Sequence, residues 1–212
     1  MNQDTPEYRK RIKTNVEAAE GYTRRKADKH AAEMALIERG FALCPDVKTA
    51  LDAPCGVGRA TVWLARQGYQ ATGIDLGEAA VEYTRKAFAE AGLDGEAHQM
   101  DVENTDFADR AFDAVLCFRL LHHFPDPEPR RRLIRELCRV SDRYVLISYI
   151  SPWSVTSIRR RIQRLFGKRL KQFHTPLSEV RAYFAEQGFS LVDDLPQSRF
   201  LHSLHLAVFR RD

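Results

Sequence analysis

The chain has 212 residues, room for one sizeable domain and little for two, and its 44% hydrophobic and 29% charged content describes a packed, water-facing globule. No run approaches the ~20 apolar residues of a membrane span, and the opening MNQDTPEYRKRIK lacks the apolar stretch of a secretory signal, so a cytoplasmic location is expected. A formal net charge of +4 is too mild to make the whole molecule a nucleic-acid binder, and Cys44, Cys55, Cys117 and Cys138 form no C-x-x-C pair, so they read as reduced thiols and no metal is expected.

Residues 1–45 predict a polar helical arm, made basic by Arg9, Lys10, Arg11, Lys13, Arg24, Arg25, Lys26 and Lys29. Gly21 is expected to divide it, and Gly40 or Pro45 to end it. From residue 46 to 150 strand and helix patterns alternate. TALDA reads as a first strand, followed by a helix from Gly58 to Gln67 with Gly68 beyond its end. YQATGID is a second strand, Gly77 to Ala91 an amphipathic helix, and EAHQM a short third strand. FDAVLCF is continuous and apolar, as a strand buried on both faces should be. Asp126 then stands at the cap of a helix with Pro127 at its first position and Leu133, Ile134, Leu137 and Val140 at helical spacing. YVLISYI is a fifth strand. This order predicts a single doubly wound α/β domain with a mostly parallel sheet.

Residues 151–175 interrupt the pattern. SPWSVTSIRRRIQRLFGKRLKQFH contains no acid, and Ile158, Ile162, Leu165 and Phe166 recur at helical spacing among Arg159, Arg160, Arg161 and Arg164. Residues 155–171 thus predict a basic amphipathic helix. It would either serve as a lid with solvated arginines or touch an anionic membrane surface, a phosphorylated substrate or RNA. Residues 176–212 predict a helix from Thr175-Pro176 to Gly188, then FSLVDDL and SLHLAVFRR as an antiparallel hairpin on the sheet edge.

The informative stretch is Leu51-Asp52-Ala53-Pro54-Cys55-Gly56-Val57-Gly58-Arg59, which follows a strand and opens a helix. Glycines at such a turn let backbone approach a ligand closely, and a helix start offers free N–H donors. Asp75, at the tip of the second strand, is placed to accept from a ribose diol. Thr61 stands where a dinucleotide fingerprint carries its third small residue. The Asp52 carboxylate would repel a pyrophosphate and suit a cationic ligand. These charges favour S-adenosylmethionine over a nicotinamide cofactor.

In order and spacing, residues 48–150 resemble the class I, Rossmann-like S-adenosylmethionine-dependent methyltransferases. LDAPCGVGR resembles their first motif and GIDLG, with Asp75 and Leu76, their second. HQMDVENTDF resembles the third, which implies that Asp101 accepts from the adenine amino group and Val102 lies against the ring. FDAVLCFRLLHHFPDP resembles the fourth, where the Cys117 and Phe118 backbone would line the methionine end. Pro54 stands in place of the usual first glycine, and RVSDRYVL lacks the Gly-Gly turn common before the fifth strand. The resemblance implies seven strands with the last antiparallel, and S-adenosylhomocysteine as product.

Acceptor-side candidates follow the fourth strand: His122 and His123 as a general base, and Arg119 to hold an anionic acceptor or to pair with Asp126. Tyr22 and Arg25 of the arm are candidate contacts to the methionine carboxylate. The expected function is methyl transfer to a small molecule or to a lipid or glycan precursor, its anionic character being read from Arg119 and the basic insertion, with O-methylation ahead of N-methylation. The alternatives are an RNA methyltransferase and a non-catalytic cofactor-binding partner protein. Nucleic acid is the less favoured partner because no Asn/Asp-Pro-Pro-Tyr/Phe signature is present. Asp113 reads as a structural residue at its strand start.

Overall fold

The computed structural model describes residues 27–152, 172–198 and 203–212. Helix α1 (Ala27–Phe41) precedes β1 (Thr49–Asp52), α2 (Arg59–Arg66), β2 (Gln70–Asp75), α3 (Glu78–Ala91), β3 (Glu96–Gln99) and β4 (Phe112–Cys117). A 3-10 turn (Leu121–His123) leads to α4 (Pro127–Val140), β5 (Ser141–Ile150), α5 (Leu177–Ala185), β6 (Phe189–Pro196) and β7 (Leu204–Arg211). The seven strands form one sheet in the order β3-β2-β1-β4-β5-β7-β6. Neighbouring strands among β1–β5 pair in parallel, and β7 runs antiparallel to both β5 and β6. The late hairpin is therefore as expected, with β6 at the edge and β7 inside.

Hydrophobic alternation explains the layers. On one face Leu51, Val115, Val145, Ile147 and Phe209 pack with Leu133, Ile134 and Leu137 of α4 and Val180 and Phe184 of α5. On the other, Ala50, Ala114, Leu116, Leu146 and Val208 pack with Leu36 and Ile37 of α1, Leu64 of α2 and Phe88 of α3. Strands sandwiched this way must be apolar on both sides, which is why FDAVLCF carries no period-2 polarity. Its one acid, Asp113, sits at a register shift in β4. There Oδ2 accepts from the Lys48 and Thr49 amides at 2.8 and 2.9 Å and ties β4 to the start of β1, the structural role anticipated for it.

Two local readings need correction. Asp126 occupies the cap position of α4 but makes no side-chain cap bond. The buried Arg130 organises this turn instead, donating to Phe124 O at 2.9 and 3.0 Å, to Pro125 O at 3.1 Å and to Glu179 of α5 at 2.8 Å. Strand β5 begins at Ser141, directly after α4, rather than at Tyr144. Side-chain polarity hid this extension. Ser141 pairs with Phe112, and Arg211 fastens the junction by donating to the carbonyls of Cys138, Ser141 and Asp142. Among the described residues no helix is long and apolar enough to cross a membrane.

Candidate functional site

Strand order reverses direction at β1: β2 and β3 lie on one side of it, β4 and β5 on the other. Ligands of open α/β sheets bind at the carboxyl ends of the strands at such a switch point. The glycine-bearing loop lies there. Ala53 N donates to Leu116 O of β4 at 2.8 Å and Cys55 N to Ile74 O of β2 at 2.7 Å, so both neighbouring strands strap the loop in place. The Ala53–Pro54 peptide is cis. Gly56 and Gly58 have φ of +55° and +75°, the left-handed region that other residues enter at a cost. They differ in surroundings. A Cβ on Gly58 would lie 2.8 Å from the Thr84 side chain of α3, whereas one on Gly56 would meet nothing within 4 Å. Gly58 thus permits helix packing, while Gly56 turns bare backbone toward open space.

Asp75 closes the loop from the tip of β2. Its Oδ2 accepts from Gly56 N at 3.0 Å and its Oδ1 from Gly77 N at 2.9 Å. Burial raises its pKa against the lowering effect of those amides. A carboxylate oxygen has two lone pairs, so each retains accepting capacity beyond its single amide. Leu76 follows, its carbonyl taken by Gln99 Nε2 at 3.1 Å. Met100 N donates to Asp75 O at 3.0 Å, which sets the Asp101 turn beside the β2 tip. Asp101 Oδ1 accepts from Glu103 N at 3.0 Å, and Val102 is 6% exposed and packs into the core on the α4 and α5 face.

Asp52 is 1% exposed and accepts from Thr61 Oγ1 at 2.7 Å. Burial lifts its carboxyl to about 7, with the nearby Asp75 charge adding to the rise. Asp52 therefore braces α2 against β1 beneath the loop. Thr61, noted in the sequence only for what it replaces, is that brace. Cys117 is fully buried, Phe118 packs on the α1–α3 face, and burial drives the Cys55 and Cys117 thiols up out of the reactive range.

Arg119 adopts φ +63° at the end of β4 and donates its amide to Ser148 Oγ at 2.6 Å. Its guanidinium pairs with Glu33 of α1 at 2.6 Å, not with Asp126. Glu33 is 1% exposed and also stands 3.6 Å from Arg59 at the start of α2. One buried carboxylate thus joins the arm, the glycine loop's helix and the β4 tip. Sequence reading missed it, although a signal existed: Glu33 heads the apolar stripe of Leu36, Ile37 and Phe41 on α1. Thr84, whose hydroxyl donates to Gly56 O at 3.3 Å, carried no such signal.

His122 is 1% exposed, its ring 4.4 Å from that of the half-buried His123, and its carbonyl accepts from Phe173 N at 2.8 Å. The structure therefore places His122 in the buried wall after β4, with His123 beside it and less deeply buried. Tyr22, Arg25 and the basic segment 155–171 lie outside the described residues. No cluster of three or more metal-ligating side chains occurs among the described residues.

An adenosyl sulfonium fits this set of donors and acceptors. Gly56 leaves open space above bare backbone, Asp75 offers accepting lone pairs, and Arg59, the cation that opens α2, stands 3.6 Å from the Glu33 carboxylate. Residues 50–143 match the family model of the methyltransferase domain. A ubiquinone biosynthesis O-methyltransferase of Stutzerimonas stutzeri (strain A1501) is 38% identical over 81 residues, 38% of this chain and 35% of that protein. The chain thus spans about a third of that relative's length. A magnesium-protoporphyrin O-methyltransferase of Synechocystis sp. is 24% identical over 163 residues, 75% of this chain and 70% of that protein. The crystal structure of magnesium protoporphyrin IX methyltransferase from Synechocystis PCC 6803 with bound SAH superposes with TM-score 0.70 at 19% identity, covering 100% of this chain and 90% of that one.

Proposed function

We propose, from the premise that the chain belongs to the class I S-adenosylmethionine-dependent methyltransferase family through its methyltransferase domain at residues 50–143, that it transfers a methyl group to an oxygen of a small-molecule acceptor. The observation that carries this reading is the closure of the glycine loop by Asp75, which accepts from both Gly56 and Gly77 at the carboxyl edge of the sheet. That contact joins the two motifs into one site.

When bound, S-adenosylmethionine supplies a methyl group already activated on a cationic sulfur. Little is left for the protein beyond alignment and the exclusion of water. Asp75 would take the ribose hydroxyls, the Asp101 turn the adenine end, and the Gly56 and Cys117 backbone the methionine end. Glu33 holds Arg59 and Arg119 on the opposite rim. Oxygen as the receiving atom is supported by the names of the two relatives, both O-methyltransferases. Because Glu33 already engages Arg119, an anionic acceptor is supported only by the basic segment 151–175.

Calorimetry with S-adenosylmethionine and S-adenosylhomocysteine tests the cofactor site. Asp75→Ala should weaken binding by about 1–3 kcal/mol by leaving ribose hydroxyls unpaired. Methyl-labelled cofactor offered with magnesium protoporphyrin, hydroxylated aromatics, lipid extract and RNA then tests the acceptor. Label in a small oxygen-bearing molecule is expected. Label confined to RNA would overturn the small-molecule reading, and no heat with either cofactor form would overturn the function.

A further inference from the structure

Three side chains from three strands meet at the carboxyl edge of the sheet, away from the glycine loop. Tyr149 is the penultimate residue of β5, His205 lies opposite it on β7, and Asp194 reaches both from β6. Tyr149 O–H donates to Asp194 Oδ2 at 2.9 Å, and His205 Nδ1 meets the same oxygen at 2.9 Å. The Tyr149 and His205 rings tilt together with centroids 5.4 Å apart. Burial and the neighbouring Asp194 charge both raise the Tyr149 pKa, so the phenol stays protonated and donates. An ionised carboxylate only accepts. With Asp194 Oδ2 as the acceptor, a neutral His205 places its proton on Nδ1 and leaves a lone pair on Nε2. Among the described residues Nε2 is neither hydrogen-bonded nor buried, and 20% of the His205 side chain is exposed.

A clasp between β5 and β6 would need only Tyr149 and Asp194. Here the shared oxygen also fixes the tautomer of an imidazole whose other nitrogen faces outward. Among the described residues Asp194 Oδ1 is meanwhile buried without a donor, an arrangement that costs stability rather than adding to it. The position is suggestive as well. Strands β5 and β7 follow β4 in the sheet, so at the usual strand spacing His205 lies about 10 Å across the edge from β4. That is the breadth of a small ring-bearing molecule. His122, the base candidate nearer β4, is 1% exposed.

We propose that Tyr149, Asp194 and His205 form the far wall of the acceptor site, where His205 Nε2 accepts a hydrogen bond from a hydroxyl of the molecule to be methylated. His205 is the group that selects a hydroxylated acceptor, and Asp194 and Tyr149 are positioning residues that hold its tautomer. The assignment of the bound molecule as a methyl acceptor rests on the proposed function; the hydroxyl-accepting site rests on the geometry alone.

Nitrogen NMR on the full chain carrying isotope-labelled histidine tests it, with His205→Gln identifying the resonance. Well above the ordinary histidine pKa of ~6.5, the expected spectrum has the proton on Nδ1 and a bare Nε2. Phenol should shift Nε2 saturably, and anisole, which lacks the O–H, should not. Asp194→Asn should abolish the tautomer preference and the phenol response. The wild-type titration decides the matter even where that variant fails to fold. A proton on Nε2, equal shifts with phenol and anisole, or no shift with phenol would overturn the proposal. Calorimetry with S-adenosylhomocysteine on the same sample separates the two readings. Heat without a phenol response overturns this site and leaves methyl transfer standing; a phenol response without heat does the reverse.

Discussion

A carboxylate that is 1% exposed and receives one hydroxyl hydrogen bond titrates late, and Asp52 at about 7 is that case. Its folded-state pKa lies above the ordinary 3.8. Between those two values the folded protein holds a proton that the unfolded chain has released, so this group's contribution to stability falls as pH rises through the window. Three pKa units correspond to about 4 kcal/mol. Asp52→Asn removes the titration while keeping an acceptor for Thr61. The variant should gain stability relative to wild type as pH is raised from 4 toward 7, measured by denaturant midpoints across that range; parallel curves would refute the buried ionisation. The two glycines of the loop make a second residue-scale contrast. Both sit at positive φ, so alanine at either costs roughly 1–2 kcal/mol of backbone strain. Only Gly58→Ala also drives a methyl into Thr84. It should therefore lower the unfolding midpoint further than Gly56→Ala. The need for glycine was legible in the sequence; the different reason at each position was not, because Thr84 arrives from another helix.

Elements explain where sequence patterns succeeded and where they stopped. The apolar spacing of α4 was legible because Leu133, Ile134 and Leu137 all face one core. The early start of β5 was hidden, since Ser141 to Arg143 are strand by backbone pairing and by Arg211, not by side-chain character. Helix α1 shows the same limit. Its basic, polar composition suggested an arm, yet Leu36, Ile37 and Phe41 pin it to the sheet and Glu33 buries a charge against the site. The pairing is asymmetric: Glu33 is 1% exposed, while the Arg59 and Arg119 side chains keep 27% and 24% of their surface. Removing Arg119 takes from the buried Glu33 its 2.6 Å partner and leaves the longer 3.6 Å approach of Arg59, whereas removing Glu33 leaves two partly solvated cations. Arg119→Ala should thus cost about 3 kcal/mol, and Glu33→Ala less. Hydrogen exchange should show faster α1 amides in both. An equal or reversed order in chemical denaturation would sink the argument.

At the scale of the molecule, alternating patterns were enough to infer a doubly wound sheet, and the motif spacing enough to expect Gly56 and Asp75 at the same edge, where they hydrogen-bond. The acceptor side was far less legible. Tyr149, Asp194 and His205 stand far apart in the chain and meet only because β7 enters between β5 and β6. No local motif can announce a cluster assembled by strand order. That insertion also distributes stability unevenly. Deleting residues 204–212 would strip β5 of its antiparallel neighbour and leave β6 with no partner at all. Such a shortened chain should lose the cooperative thermal transition altogether, rather than melt a few degrees lower; a sharp calorimetric peak from it would contradict this.

Synthesis runs from the amino end, so a ribosome delivers β7 after both of the strands it must join. Until then the nascent sheet has an open flank at β5, and β6 waits without a hydrogen-bonding mate. Slow emergence of Leu204 to Arg211 would lengthen that exposed interval. Chaperones that cover bare strand edges should consequently bind the unfinished polypeptide and release it once Leu204 to Arg211 have slid into the gap.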